Sequence, residues 1–439
     1  MSQPHQKDKK YEYWRWRVFG ITWLAYAGFY LTRSSFSVAK IGLKEDPDIM
    51  MSPAQMGMID GLYLTAYAIG QFVWGALGDK LGTRKIVLAG LFSSIVAGFA
   101  MGVSSIILAF GVIAFIQGLS QSTGWAPLAK NISNWFSLRE RGVIMGWWAT
   151  NYAVGALVAA PFAGMMADYF LDWRFAFYMP ALVLLTIAVF FILLQKNRPE
   201  DVGLPAIEDY HGEAQAKLAD GGEPEEGSWK AMLAVVKNPM VILLSLVYFF
   251  LKPTRYAILF WGPLYVNETL GTGMTESAFI SVAFFLAGPL SVLVAGYASD
   301  KIFGSRRMPY SVIALLLLSV VLFFFNDIAA LQNKMVIAGL LFIVGFLLYG
   351  PDSLVSATAA LDFGTKKGAS TASGFINGLG SIGAIIGGTI PGFFKESWGW
   401  GGIFNFLALS ALIAAVIMIP KWNALPETSD DDTETAKRK

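Results

Sequence analysis

Long apolar runs alternate with short polar segments along almost the whole chain. A membrane span needs roughly 20 mainly apolar residues. That measure predicts helices near 17–40, 58–78, 85–104, 106–128, 143–168, 174–195, 239–266, 276–298, 309–327, 335–359, 370–392 and 400–420. The pattern is that of an all-α polytopic membrane protein with twelve transmembrane helices. The longest polar segment, 196–237, divides them six and six, and its middle, GEAQAKLADGGEPEEGS, reads as a charged flexible linker. The expected organisation is a first six-helix half over 1–195, a linker over 196–237, a second half over 238–420 and a tail over 421–439.

Basic residues fall in alternate loops. Lys7, Lys9, Lys10, Arg15 and Arg17 precede the first span, and Lys80, Arg84 and Lys85 lie between the second and third. Arg139 and Arg141, Arg306 and Arg307, and Lys366 and Lys367 mark three more loops of the same parity, and the intervening loops are poor in base. Positive charge collects on the cytoplasmic side of a membrane, so both termini are expected there, in the inner (cytoplasmic) membrane of a cell. The first apolar run is too long for the core of a signal peptide and reads as an uncleaved span.

Composition agrees with this picture and removes several function classes. Of 439 residues, 55% are hydrophobic and 15% charged, against about a quarter charged in a soluble domain. The net charge of +2 gives no pull towards nucleic acid. Cysteine is absent, which excludes disulfides and thiol chemistry, and the two histidines, His5 and His211, both lie in polar segments. No nucleophile–base pair or metal cluster is visible, so neither an enzyme nor a cofactor is expected. A monomer is expected.

The halves echo one another. GALGDKLGTRK (75–85) follows the second span and AGYASDKIFGSRR (295–307) the eighth, with Asp79 and Asp300 221 residues apart. Pro127 and Pro351 are 224 apart, and RERG (139–142) and TKKG (365–368) are 226 apart. A shared offset at several landmarks indicates a duplicated six-span unit around a central cavity. The first loop, with Gly75, Asp79, Lys80, Gly82 and Arg84, suits a charge clamp that locks helices in one conformation, and Asp300 and Arg306 are its expected counterparts.

The same offset links two arginines that composition alone would not expect in oil. Arg33 lies two-thirds along the first span, and Arg255, 222 residues later, lies at equal depth in the seventh. An arginine at helix centre costs about 3 kcal/mol on insertion scales. Two at equivalent positions of a repeat predict one shared anion, and a phosphate matches two guanidinium forks. The competing explanation is that each snorkels to an interface or pairs with a carboxylate, Asp352 being the obvious carboxylate at depth. Tyr26 and Tyr30 share a helical face with Arg33, while Lys40, further along, is expected at the interface. Lys252 shares the face of Arg255 and either adds a third cation or holds Asp352. Tyr67, Gln71, Gln121, Lys130, Asn151, Tyr152 and Asn377 are candidate polyol contacts or helix-to-helix hydrogen bonds.

At this level the chain resembles the major facilitator superfamily, through its twelve spans, its linker and the GDKLGTRK loop with its echo. More specifically YAGFYLTRSSF, GWAPLAKNISNWFSLRERG, RPEDVGLP, FWGPLY and YGP resemble the organophosphate:phosphate antiporter family, which includes glycerol-3-phosphate, hexose-phosphate and phosphoglycerate transporters and a sugar-phosphate sensor. The resemblance implies exchange of a small organophosphate for inorganic phosphate by alternating access, with Arg33 and Arg255 on the phosphate and Tyr26, Tyr30 and Tyr67 beside it. Departures fall at Ser34 and Gln71, where members often carry lysine, and at Tyr152, where several carry histidine. Two other readings stay open: a sensor of the same fold that reports to a kinase partner, and a proton-coupled organic-anion symporter using Asp352.

Overall fold

The computed structural model describes residues 8–210, 238–358 and 369–424, leaving aside the side chains of 75–80, 138–139, 208, 357–358 and 369–373. Almost everything described is helix. The helices are α1 (Lys9–Glu45), α2 (Pro53–Leu81), α3 (Thr83–Val103), α4 (Ile107–Gln121), α5 (Trp125–Trp135), α6 (Leu138–Phe170) and α7 (Phe175–Leu194). A short α8 (Ile207–Tyr210) precedes α9 (Pro239–Leu270), α10 (Met274–Tyr297), α11 (Arg307–Phe323), α12 (Phe325–Ala329), α13 (Lys334–Ser353) and α14 (Ala369–Met418). Eight helical segments among the described residues are long and apolar enough to cross a membrane. The last of these is two arms meeting at Gly399, whose φ of 63° interrupts α14. Counting both arms, and adding α1, α2 and the 17-residue α11, gives twelve spanning helices.

Two compact units emerge from the contacts: Met1–Glu223 with Leu259–Val282, and Pro224–Ile258 with Ala283–Lys439. In the first, α1 packs on α6 and α7, α2 on α4, and α3 on α4 and α7. Glycines set the close approaches. A Cβ on Gly118 of α4 would stand 2.2 Å from the Tyr63 carbonyl oxygen of α2, and one on Gly155 of α6 would stand 2.9 Å from the Ala27 carbonyl oxygen of α1. Small residues at helix crossings let backbones meet where no hydrophobic effect drives association. In the second unit α11 packs on α13 and α14.

The fourth span, expected to run unbroken over 106–128, is broken. Helix α4 ends at Gln121, Ser122–Gly124 turn, and α5 restarts at Trp125. Pro127 explains the break, because proline has no N–H to give and its ring collides with the carbonyl four residues back, here that of Thr123. Its counterpart Pro351 lies in the last turn of α13, which passes directly into a π-helical turn, Leu354–Thr358. Each proline landmark thus sits beside a distortion, which precedes Pro127 in one span and follows Pro351 in the other.

Part of the expected linker is ordered. Pro199–Val202 form a 3-10 turn, and the Tyr210 ring stacks on Tyr11 of α1 at 4.0 Å. The charged middle of the linker, the TKKG segment, Lys366 and Lys367, and most of the tail lie outside the described residues, as do the side chains of Gly75, Asp79 and Lys80.

Candidate functional site

Arg33 is 8% exposed. Its guanidinium carbon lies 4.4 Å from the Tyr30 ring centre and 4.9 Å from that of Tyr67, so two aromatic faces hold it from α1 and α2. Its Nε donates to Gln121 Oε1 of α4 at 3.1 Å, and the same oxygen accepts from the Tyr63 hydroxyl at 2.7 Å. Gln121 Nε2 in turn donates to Thr32 Oγ1 at 3.0 Å. The carboxamide, placed by the broken fourth span, thus fixes the orientation of the guanidinium without cancelling its charge. The Arg33 Nη2 is buried and has no hydrogen-bond partner among the described residues. A buried cationic donor without an acceptor costs about 1–3 kcal/mol or more.

Tyr26 meets Tyr30 edge-on at 6.0 Å and lies 5.3 Å from Trp125 and 5.9 Å from Trp148. Asn151 is buried one turn from Trp148, and neither its side-chain nitrogen nor its oxygen has a partner among the described residues. Tyr152 is half-buried, and Gln71 and Lys130 are exposed.

In the second unit Arg255 Nη1 donates to Asp352 Oδ2 at 3.0 Å, and Lys252 Nζ lies 4.0 Å from Asp352 Oδ1. One carboxylate therefore faces both cations: Lys252 lies beside Asp352, one of its two expected roles, and Arg255 pairs with that carboxylate as the competing explanation for a buried arginine had it. Tyr349 lies 5.2 Å beneath the Arg255 guanidinium and Tyr248 4.4 Å from Lys252 Nζ, repeating the cation-on-tyrosine arrangement of Arg33. Asn377 is exposed.

Three expectations are corrected. Lys40, expected exposed at the interface, is wholly buried in the protein and paired with Asp60 of α2. Asp60, at 2% exposure, is a second buried carboxylate in addition to Asp352. It falls within the second predicted span, 58–78, in a helix that starts at Pro53. Finally, Asp300 is clamped by Arg307, which also donates to Ser299 Oγ at 3.0 Å, whereas Arg306 reaches Asn423 Oδ1 at 3.2 Å. The register is set by Gly304 and Ser305, both at positive φ, which turn Arg306 away. In the first loop Gly82 has φ 79°, and Arg84 reaches the Ile192 carbonyl of α7 while its own N–H donates to Asn197 Oδ1 at 2.9 Å.

Twelve spanning helices and buried cations on tyrosine faces in each unit define a polytopic membrane transport protein. The chain belongs to the major facilitator superfamily, whose model matches residues 22–388, and within it to the organophosphate:phosphate antiporter family. It is 32% identical over 434 residues to a probable hexose phosphate transport protein of Chlamydia trachomatis, covering 97% of this chain and 94% of that one. It is equally 32% identical, over 436 residues, to the membrane sensor protein UhpC of Salmonella typhimurium, covering 97% and 95%. Among solved structures a bacterial homologue of the human lysosomal transporter Spinster, inward-facing and unoccupied, superposes with a TM-score of 0.73 at 14% identity over 96% of both chains, a likeness of fold.

Proposed function

We propose that this protein exchanges a small organophosphate, a sugar phosphate or glycerol 3-phosphate, for inorganic phosphate across the cytoplasmic membrane. Arg33 and Arg255 bind the phosphoryl group. The observation that carries the reading is the buried, unpartnered Nη2 of Arg33 on its tyrosine faces, held by a neutral glutamine. Arg255 adds a second guanidinium at the equivalent position of the repeat. The halves 1–195 and 238–420 rock about this site, with both termini cytoplasmic, and the protein acts as a monomer. The similarity to hexose phosphate transport proteins supports the cargo class.

The test is counterflow. Proteoliposomes loaded with phosphate are expected to take up labelled glucose 6-phosphate or glycerol 3-phosphate faster than empty ones, and equal rates would sink the exchange. Arg33→Lys replaces a two-pronged donor with a point charge. It is expected to weaken phosphate binding by about a hundredfold, the worth of a charge-assisted pair of hydrogen bonds, as read by calorimetry.

A second reading, a sensor that reports occupancy to a kinase with little flux, is favoured by the similarity to UhpC. Retained phosphate binding with no uptake of any cargo under either loading would select it.

A further inference from the structure

The buried Lys40–Asp60 pair has no part in the reading above, and its surroundings give it a different task. Lys40 has three donors. One goes to Asp60 of α2, and another to the Phe260 carbonyl oxygen of α9 at 3.0 Å. The Nζ also lies 3.8 Å from the centre of the Trp261 ring. The Phe260 carbonyl and the Trp261 ring both come from α9, a helix of the second sequence repeat whose residues from Leu259 on belong to the first compact unit. A pair that merely stapled α1 to α2 would not need them.

Around the pair, the same end of the unit is knitted by further contacts to the segment 259–282. Lys44 Nζ lies 2.7 Å from Glu268 Oε1, and Asp168 Oδ2 of α6 accepts from the Thr275 N–H, at the start of α10, at 2.9 Å. A Cβ on Gly164 would stand 2.8 Å from the Met274 carbonyl oxygen, and one on Gly42 would meet the Met274 side chain at 2.8 Å. Just outside the spans Asp46 accepts from Trp173 Nε1 at 2.8 Å, a bond that holds its carboxyl below the usual carboxylate range. This end is shut.

We propose that Lys40, Asp60 and the Phe260 carbonyl form a charge latch that keeps this end of the transporter closed and lets it open to water. Closed, the two charges face each other and are dry. When α9 withdraws, Lys40 loses the carbonyl and the indole face, and water replaces both, so the open state is satisfied as well. An apolar contact in the same place would gain nothing from water and would only resist opening. Removing one charge has the opposite effect, because the remaining one is stranded in the closed state and hydrated in the open one.

The chain contains no cysteine, so a single reporter can be added directly. Ala278, buried in the first turns of α10, is changed to cysteine and its labelling by a membrane-impermeant maleimide is timed in the full-length protein. Asp60→Asn is expected to speed labelling about tenfold or more. Lys40→Met with Asp60→Asn leaves no unpaired charge and is expected to label at or below the rate of the unaltered pair. Asp60→Asn labelling at the unaltered rate would overturn the latch, as would a double variant that labels faster than the unaltered pair. If Asp60→Asn does not fold, the double variant decides by the same rule. The readout is accessibility, so it stands whatever the cargo proves to be.

Discussion

Gln121 holds the Arg33 guanidinium at 3.1 Å and the Tyr63 hydroxyl at 2.7 Å, and at this position charge matters more than shape. Gln121→Glu keeps every heavy atom but sets a carboxylate against the arginine in a site of low dielectric, where a close ion pair competes with any incoming anion. Phosphate affinity is expected to fall about tenfold or more by calorimetry, with thermal stability in detergent unchanged or raised. Unchanged affinity would remove Arg33 from the phosphate site. Sequence placed Arg33 at depth and picked out Gln121, but gave the glutamine only a general role as a sugar contact or helix bond. Its actual task depends on Tyr63 and Thr32, which lie 58 and 89 residues away in sequence. Hydrogen-bond geometry over that distance leaves no mark on local composition.

At the level of helices, the α2–α4 crossing brings together Tyr63 and Gln121, which holds Arg33. Gly118→Val would drive a side chain into the Tyr63 carbonyl, 2.2 Å from where its Cβ must sit, and into the Ala66 methyl at 3.0 Å. Backbone cannot step aside as a side chain can, so the helices must part and carry the Tyr63 hydroxyl away from Gln121. Overpacking of this kind costs about 1–3 kcal/mol or more, and a lowered unfolding temperature with weaker phosphate binding is expected together. Gly146→Ala is the control: nothing lies within 4 Å of its Cβ, and both measurements should be unaffected. The number and order of these helices could be read from hydropathy, because each span must satisfy its own backbone in lipid and needs a fixed apolar length. Where a span breaks could be read only in part. Pro127 and Pro351 were visible as repeat landmarks, yet whether a proline kinks, breaks or widens a helix depends on what fills the freed space.

At the scale of the whole molecule, and under the proposed function, the buried charges set what can be carried. Arg33, Lys252 and Arg255, less Asp352, leave +2 among the proposed site groups, equal and opposite to a phosphate dianion. The second ionisation of a phosphate monoester lies near pH 6. A site matched to the dianion loses its ligand as that proton returns, so the KM for organophosphate uptake is expected to rise about tenfold per pH unit below 6. It should stay level between about 7 and 8. A flat KM from pH 5 to 8 would mean that the monoanion is carried as well.

The sequence by itself determined the membrane spans, their number and the presence of charged residues within them. These follow from hydropathy and from the cost of charge in lipid, both of which act residue by residue along the chain. Tertiary structure decided which groups answer those charges: a neutral glutamine for Arg33, Asp352 for Arg255, and for Lys40 a carboxylate on α2 with a carbonyl on α9. A buried charge announces that a partner must exist. Only packing, which brings together helices far apart in the chain, selects the partner.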